Sequence, residues 1–273
     1  MNKKFLIKKG SKTALITGAS SGLGVHFARL FAQAGYNVVL VARREKNLLS
    51  LKSEIENDFG VKAYVFAQDL SVSDSATAVY EYTESEGITV SALVNNAGFG
   101  DFGKFNDLAW QKQSDMIQVN ITTLVQLTKL YLPKMLEKND GKILNVASIA
   151  AFESGPLLST YYASKAYVLS FSEALAVELK NTGVKVSVLC PGPTETGFED
   201  AAGAKASSLF KNLKVANADK VAEYGFKKLM RGKVVAIPGF SNKLLPFAVR
   251  FAPRAMVRNL VYKIQRARRE RKD

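Results

Sequence analysis

A tyrosine and a lysine four positions apart are the residues of this sequence best placed for acid–base chemistry. On a helix, Tyr161 and Lys165 would share one face, so both side chains could reach the same small molecule. A free tyrosine has a pKa of about 10, which makes it a poor base at neutral pH. We expect the neighbouring ammonium to lower the pKa of Tyr161 toward the working range. The alternative is an amphipathic helix with a solvent-directed lysine, the commoner meaning of such a pair in isolation.

A glycine-rich segment supplies the second chemical signal. It follows a short apolar run at residues 13–17 and precedes a helical pattern. Gly18 allows a tight turn, Gly22 lets a pyrophosphate approach the backbone, and Gly24 permits close packing of helix on strand. The following helix N-terminus supplies free N–H groups for phosphates. An ordinary glycine turn is the alternative. The residues that we assign to this loop are Gly18, Ser20, Ser21, Gly22, Leu23 and Gly24.

The end of the second predicted strand indicates which dinucleotide is bound. An enzyme that uses NAD places Asp or Glu there, about 20 residues beyond the glycines, to hold the ribose 2′-hydroxyl. This sequence has Arg43 and Arg44 instead. The planar guanidinium pairs with phosphate oxygens, whereas a carboxylate would repel them. We therefore expect NADPH/NADP+, with two arginines on a solvated turn as the alternative.

The elements that position these residues alternate along the chain. Strand patterns and helix patterns follow one another from residue 13 to about 240, which indicates βαβ units. We predict an α/β fold with a Rossmann-type doubly wound parallel sheet, residues 1–240 forming the catalytic domain. Residues 241–273 are predicted as a basic amphipathic helical extension. The predicted strands are 13–17, 37–42, 62–67, 91–95, 142–147, 184–190 and 233–237, and the helices lie at about 44–58, 72–86, 110–138, 161–181 and 218–231.

From about residue 12 to 197 the sequence resembles the short-chain dehydrogenase/reductase family. The matching motifs are Thr17-Gly18-x-x-x-Gly22-x-Gly24, Asp69-Leu70, Asn95-Asn96-Ala97-Gly98, Asn120, Ser148, Tyr161-x-x-x-Lys165 and Pro191-Gly192-Pro193-Thr194. The resemblance implies an oxidoreductase that interconverts a carbonyl and an alcohol with NADP(H). It adds to the cofactor site the residues Asp69, Leu70, Asn96, Ala97, Gly98, Tyr161, Lys165, Pro191, Gly192 and Thr194.

The resemblance also assigns the catalytic roles. Tyr161 would protonate the carbonyl oxygen as hydride arrives, and Ser148 would donate a hydrogen bond to that oxygen. Lys165 would bind the nicotinamide ribose, and Asn120 would support a water through which Lys165 relays protons. Relatives of this kind are oligomers, so we expect a dimer or tetramer built on the helices at about 110–138 and 161–181.

Composition excludes several other classes of function. One histidine and one cysteine leave no set of soft metal ligands and no internal disulfide, so no metal site is expected. The net charge is +14, but the first twelve residues contribute +5 and residues 243–273 contribute +8. Because the body is nearly neutral, we expect no nucleic-acid partner. Since the sequence shows neither a secretory signal nor a long apolar run, we expect a cytoplasmic protein.

Substrate and tail are less constrained. Three segments are expected to shape the pocket: Phe99–Phe102, Phe152–Leu158 and a lid from Phe198 to about Leu213. Their apolar residues favour a hydrophobic ketone or alcohol. One alternative is a 3-ketoacyl-thioester reductase, since the extension resembles a bacterial branch related to ketoacyl and steroid reductases. Another is a non-catalytic NADP-binding scaffold or membrane adaptor. The tail stripe from Met256 to Ile264 would pack on a subunit or on the chain itself, or contact an anionic membrane or acidic substrate carrier.

Overall fold

Seven parallel strands form one sheet in the centre of the chain. The computed structural model describes residues 5–196 and 215–266. The sheet has the order β3-β2-β1-β4-β5-β6-β7, and every neighbouring pair is parallel. The strands are β1 (Thr13–Thr17), β2 (Asn37–Ala42), β3 (Ala63–Ala67), β4 (Val90–Asn95), β5 (Gly141–Val146), β6 (Val184–Leu189) and β7 (Val235–Ala236). The predicted α/β fold with a doubly wound parallel sheet is confirmed.

Helices connect the strands and cover both faces of the sheet. A π-helical turn, Gln118–Thr123, and a short 3₁₀ helix, Ile149–Phe152, lie beside the strand ends. The α-helices are α1 (Gly22–Gln33), α2 (Glu45–Phe59), α3 (Ser75–Ser85), α4 (Trp110–Ile117), α5 (Leu124–Glu137), α6 (Ser159–Glu178), α7 (Ala218–Met230), α8 (Phe240–Phe251) and α9 (Arg254–Arg266).

One expectation about a helix needs correction, and the tail contains more than one helix. The helix expected at about 110–138 is not one α-helix, because the turn at Gln118–Thr123 widens to π geometry between α4 and α5. The tail holds two helices, α8 and α9, and the first begins at Phe240, one residue before the extension predicted from residue 241. Gly239, with a φ of 88°, redirects the chain directly into α8.

Alternate residues of the central strands pack into two separate cores. Ala14 and Ile16 face the layer formed by α1, α2 and α7, where Phe31 and Phe226 pack edge to face with ring centroids 5.1 Å apart. Leu15 faces the opposite layer of α3, α5 and α6. Burial on both sides explains the continuous apolar strands that the sequence shows. The two layers hold the strand ends in a fixed frame.

The sheet reverses its winding between β1 and β4. Strands β2 and β3 continue on one side of β1, while β4 to β7 continue on the other. The carboxyl ends of the strands at such a reversal form a crevice, which is the usual ligand site of open α/β sheets. The glycine-rich loop leaves β1 and the Asn96–Gly98 segment leaves β4 at this point.

Among the described residues, no helix is long and apolar enough to cross a lipid bilayer.

Candidate active site

The structure brings Ser148, Tyr161 and Lys165 together at the carboxyl ends of β5 and β6. Ser148 follows β5, and its Oγ accepts a hydrogen bond from the backbone N–H of Ala150 at 3.1 Å. The side chains of Ser148 and Tyr161 are hydrogen-bonded to each other. The Lys165 Nζ lies 5.8 Å from the centroid of the Tyr161 ring. A hydroxyl pair beside an ammonium can bind an oxygen atom and transfer a proton to it.

Lys165 is buried, and its ammonium has a fixed position. Its Nζ donates a hydrogen bond to the backbone oxygen of Val146, the last residue of β5, at 2.9 Å. Burial lowers the pKa of Lys165 to about 8, and the nearby Cys190 thiol opposes that shift. Lys165 is therefore a cation at neutral pH, but one that loses its proton more easily than an exposed lysine.

The pKa of Tyr161 shifts in the direction opposite to our expectation. Burial raises the pKa of Tyr161 to about 12, although the hydrogen bond from Ser148 acts to lower it. The cost of burying a phenolate here outweighs that hydrogen bond, so the pKa is not lowered as we expected from the Lys165 ammonium. Tyr161 is thus a neutral phenol at neutral pH. A neutral phenol has a proton to donate, so this environment suits the acid of a reduction.

Asn120 connects two parts of the site. It lies in the π-helical turn, and its Nδ2 donates to the Phe99 carbonyl and to the Ser164 Oγ, both at 3.0 Å. Its Oδ1 accepts from the Phe99 N–H at 3.1 Å. Ser164 in turn donates to the Tyr161 carbonyl at 2.7 Å. The side chain of Asn120 therefore fastens the loop after β4 to the helix that bears Tyr161, and its role in a water relay stays a prediction.

The segment after β4 lies close to the side chains of Asn120 and Lys165. A Cβ placed on Gly98 would come within 2.9 Å of the Asn120 Oδ1 and 3.2 Å of the Lys165 Nζ. The preceding residues are fastened to β1, because the Asn96 and Ala97 N–H groups both donate to the Thr17 Oγ1 at 3.0 Å. Sequence reasoning did not assign a role to Thr17. Because Thr17 directly precedes the first glycine of the loop, its position in the sequence could have indicated such a role.

The glycines form a cradle with no room for side chains. Gly18 and Gly22 have φ angles of 66° and 54°, which favour glycine. A Cβ on Gly18 would approach the Asn96 Nδ2 to 2.9 Å, and one on Gly22 would approach Thr196 to 2.8 Å. Ser21 precedes α1, and Leu23 packs into the core below it. Such a cradle admits a diphosphate close to the backbone N–H groups at the start of α1.

The two arginines lie at the end of β2, beside this cradle. Arg44 donates from Nε and Nη2 to the Ser20 Oγ, at 3.2 and 3.1 Å. Arg43 has a side chain that is 75% exposed and lies 3.9 Å from the Asp69 carboxylate. Burial raises the pKa of Asp69, but hydrogen bonds from Ser71 and the charge of Arg43 outweigh it and leave that pKa lowered. Both guanidinium groups are accessible to a phosphate.

Asp69 and Leu70, whose role beside the adenine stays a prediction from the resemblance, lie in the turn after β3. The Asp69 Oδ1 accepts hydrogen bonds from the Ser71 N–H and hydroxyl, at 3.0 and 2.8 Å. The Leu70 carbonyl accepts from the Thr123 Oγ1 at 2.9 Å, which connects this turn to the π-helical turn. The Asn47 Nδ2 also donates to the Ser20 carbonyl at 3.3 Å, a contact that sequence reasoning missed.

The turn after β6 closes the other end of the crevice. The Pro191 carbonyl accepts from the Ile149 N–H at 3.0 Å, next to Ser148. Thr194 donates from Oγ1 to the Gly192 carbonyl at 2.8 Å. A Cβ on Gly192 would approach Asn242 of α8 to 2.6 Å, so α8 packs directly on this turn. The expected lid from Phe198 to Leu213 lies outside the described residues.

Two of the expected pocket segments lie together. The Gly103 N–H, directly after the Phe99–Phe102 segment, donates to the Leu157 carbonyl at 2.9 Å. Leu157 has a φ of 68°, which is strained for a branched side chain and occurs mainly where surrounding structure imposes it. In the same loop, burial raises the pKa of Glu153. The hydrogen bond between Gly103 and Leu157 therefore joins the loop after β4 to the loop between Ser148 and α6.

The comparison with known proteins agrees with this geometry. The profile of a family described as short chain dehydrogenase matches residues 12–207. The chain belongs to the short-chain dehydrogenase family. It is therefore an oxidoreductase of that family.

Similar curated proteins of the short-chain dehydrogenase family include steroid and acyl-chain enzymes. A 7beta-hydroxysteroid dehydrogenase of Collinsella aerofaciens is 36% identical over 191 residues, which cover 70% of this chain and 72% of the relative. A very-long-chain 3-oxoacyl-CoA reductase of Laccaria bicolor is 35% identical over 68% of this chain and 56% of its own length. This chain therefore spans little more than half of the second relative.

Solved short-chain dehydrogenases superpose on most of the chain. A structure from work on 7beta-hydroxysteroid dehydrogenase stereoselectivity is 31% identical with a TM-score of 0.81, covering 93% of this chain and 97% of that one. The short-chain dehydrogenase from Sphingobium yanoikuyae in complex with NADPH has a TM-score of 0.79 at 29% identity, and the match covers 88% of this chain and 94% of that one. A short-chain dehydrogenase from Burkholderia phymatum in complex with NAD has a TM-score of 0.78 at 27% identity, and the match covers 90% of this chain and 94% of that one. The cofactor of this chain is thus a pyridine nucleotide.

Substitution of Gly24 tests whether the cradle holds that nucleotide. A Cβ at Gly24 would overlap the carbonyl oxygen of Gly18, so Gly24→Ala must displace α1 from the loop. We expect at least about a tenfold loss of NADPH affinity and a lower Tm, measured by calorimetric titration and thermal unfolding. Gly87→Ala is the control, because a Cβ there meets no atom within 4 Å while its φ of 63° still imposes strain. Equal NADPH affinities in the two variants would contradict the assignment.

The C-terminal helix reaches the catalytic helix through a contact that sequence reasoning missed. The Gln265 Nε2 of α9 donates to the hydroxyl of Tyr162, the neighbour of Tyr161, at 3.1 Å. Gln265 is 1% exposed, and its Oε1 has no hydrogen-bond partner among the described residues. A glutamine flanked by apolar and basic residues in the tail is the only sequence signal for this contact. The end of α9 therefore packs against the start of α6, one residue from Tyr161.

Proposed function

We propose that this protein is an NADP(H)-dependent carbonyl reductase and alcohol dehydrogenase that acts on a bulky hydrophobic ketone or alcohol. The observation that carries the proposal is the meeting of Ser148, Tyr161 and Lys165 beside the glycine cradle. The nucleotide, when bound, supplies the hydride and the protein supplies position and charge. The roles below follow from the contacts of these side chains.

The neutral Tyr161 is the proton donor in the direction of reduction. Its hydroxyl gives a proton to the carbonyl oxygen as the carbonyl carbon is reduced, and Ser148 donates a hydrogen bond to the same oxygen. The Lys165 ammonium, held by Val146, stabilises the negative charge left on Tyr161. In the direction of oxidation the same groups act in reverse. Asn120 keeps the helix that bears Tyr161 in register with the loop after β4.

The preference for NADPH over NADH rests on Arg43 and Arg44. Both guanidinium groups lie at the end of β2, where a 2′-phosphate would receive charge-assisted hydrogen bonds. Arg44 in addition holds the glycine-rich loop through Ser20. The solved relatives include one with NADPH and one with NAD, so the arginines themselves carry this part of the proposal.

Arg43→Ala is expected to weaken NADPH binding about 10- to 100-fold while NADH binding changes less than about threefold. The reason is that Arg43 has an exposed guanidinium whose nearest charged partner is Asp69 at 3.9 Å, so its removal costs the fold little. Calorimetric titration with each nucleotide measures the difference. Lys46→Ala is the matched control, since it removes one exposed cation from the next turn. Equal weakening of both nucleotides would remove Arg43 from cofactor selection.

A bulky ring ketone is the substrate class that we favour. The relatives named as 7beta-hydroxysteroid dehydrogenases match over most of the chain, and the two joined loops near Ser148 carry the apolar rings of Phe99, Phe102 and Phe152. The second candidate is a 3-ketoacyl thioester, favoured by the similarity to a very-long-chain 3-oxoacyl-CoA reductase and by the basic tail. Oxidation of NADPH with free ring ketones but not with ketoacyl thioesters would support the ring ketone as the substrate class. The reverse result would support the ketoacyl thioester.

A non-catalytic scaffold is the candidate from another class. Ser148, Tyr161 and Lys165 are all present and in contact, which favours catalysis. A cellular role that survives Tyr161→Phe intact would favour the scaffold instead.

We also propose that the protein is a dimer or tetramer, because α4 and α6 expose the apolar side chains Trp110 and Val177. Sedimentation velocity of the full chain tests that assembly.

A further inference from the structure

Each of the two C-terminal helices exposes a row of large apolar side chains. On α8, Phe240, Phe247 and Phe251 are 79%, 65% and 76% exposed, and their spacing places them along one side of the helix. On α9, Met256, Leu260 and Ile264 recur every four residues and are likewise exposed. We call this surface the tail face; its residues are Phe240, Leu244, Phe247, Phe251, Met256, Leu260 and Ile264.

The tail face is not the side by which these helices pack on the protein. α9 turns Val261 and Gln265 inward, and Gln265 is hydrogen-bonded to Tyr162. α8 packs on the Ile149–Phe152 turn and, through Asn242, on Gly192. The fold thus anchors the helices on one side and leaves three exposed phenylalanine rings on the other. Exposed rings in such a row mark a surface that binds something.

The charge around the tail face identifies its partner. Residues 240–266 contain no Asp or Glu and six cationic side chains, all of them exposed. Within the described parts of the chain, Lys243, Arg250, Arg254, Arg258 and Lys263 form no ion pair. We propose that the tail face binds the surface of an anionic lipid bilayer. Its rings would enter the interfacial layer, and its cations would contact the headgroups.

Charge also argues against a second tail face as the occupant. A symmetric contact would place six cations of one chain opposite six of the other, without a described acidic residue in either segment. Opposed like charges destabilise a contact, whereas anionic headgroups neutralise them. No described helix can span a bilayer, so the contact that we propose is peripheral.

Sedimentation of the full-length protein with lipid vesicles tests this proposal. We expect binding to vesicles that contain phosphatidylglycerol, little binding to pure phosphatidylcholine, and weaker binding as salt is added. The double variant Phe247→Ser/Phe251→Ser and the triple variant Arg250→Gln/Arg254→Gln/Arg258→Gln should each lower vesicle affinity at least about tenfold. NADPH titration verifies that each variant remains folded.

Matched controls distinguish the tail face from exposed rings and exposed cations elsewhere on the protein. Phe105→Ser removes an exposed ring elsewhere, and Lys62→Gln/Lys138→Gln/Lys180→Gln removes three exposed cations elsewhere. Both should bind vesicles like the unaltered protein. Absence of binding by the unaltered protein, or equal losses in test and control variants, would overturn the proposal. So would a double variant that changes only the oligomeric state in sedimentation velocity, because a second copy would then cover the tail face.

Discussion

Tyr161→Phe is expected to lower kcat for ketone reduction about 10²- to 10⁴-fold, the contribution typical of a positioned general acid. The substitution removes one oxygen from a half-buried ring and leaves the ring itself in place. NADPH affinity should change little, because the glycine cradle and the arginines are untouched. Steady-state kinetics with a bulky ketone and a calorimetric titration with NADPH measure the two quantities.

Tyr167→Phe is the matched control for this prediction. Tyr167 lies on the same helix, is exposed and stacks on Phe171, so loss of its hydroxyl should leave turnover unchanged. A drop of less than about tenfold for Tyr161→Phe would mean that another group donates the proton. A large loss of NADPH affinity would mean that the variant had disturbed the cofactor site.

The second large effect is expected at Lys165 and depends on pH. Burial lowers the pKa of Lys165 to about 8 and raises that of Tyr161 to about 12, so both groups are protonated below pH 8. In the direction of reduction, kcat/KM should therefore be constant through neutral pH. It should fall about tenfold per pH unit above about 8, where Lys165 loses its charge while Tyr161 keeps its proton. A pH–rate profile of the unaltered enzyme measures this limb.

Two substitutions show whether Lys165 causes that fall. Lys165→Met should cost at least about a hundredfold in kcat/KM at neutral pH, because no cation then stabilises the charge on Tyr161. Lys165→Arg keeps a cation at every pH of the profile. Its residual activity should lack the fall near pH 8. If the fall persists in Lys165→Arg, a group other than Lys165 titrates there.

Local sequence rules were sufficient for the fold, for the glycine loop and for the Tyr161–Lys165 pair, whereas the resemblance to the family supplied Ser148 and Asn120. The apolar strands, the glycine spacing and the four-residue interval from Tyr161 to Lys165 are properties of short segments. A parallel sheet then brings the ends of its strands to one edge, whichever residues lie there. The meeting of Ser148 with Tyr161 follows from that topology, although the two are 13 positions apart.

The features that could not be predicted depend on contacts between distant segments. The pKa of Tyr161 is set by burial, and no short-range pattern reports how much of a side chain the fold will cover. The π-helical turn contains Asn120, whose side chain bonds both Phe99 and Ser164, which are distant in the sequence. Gln265 meets Tyr162 across 103 positions of sequence. Each depends on packing that exists only in the folded chain.

Calorimetric titration of the full-length protein with NADPH and with NADH tests the central claim most directly. We expect saturable binding of both nucleotides to one site per chain. NADPH should bind about 10- to 100-fold more tightly, because only NADPH carries the phosphate that Arg43 and Arg44 can hold. Equal affinities would contradict the assigned role of the arginines. Binding of neither nucleotide would contradict the claim that this chain is a pyridine-nucleotide oxidoreductase.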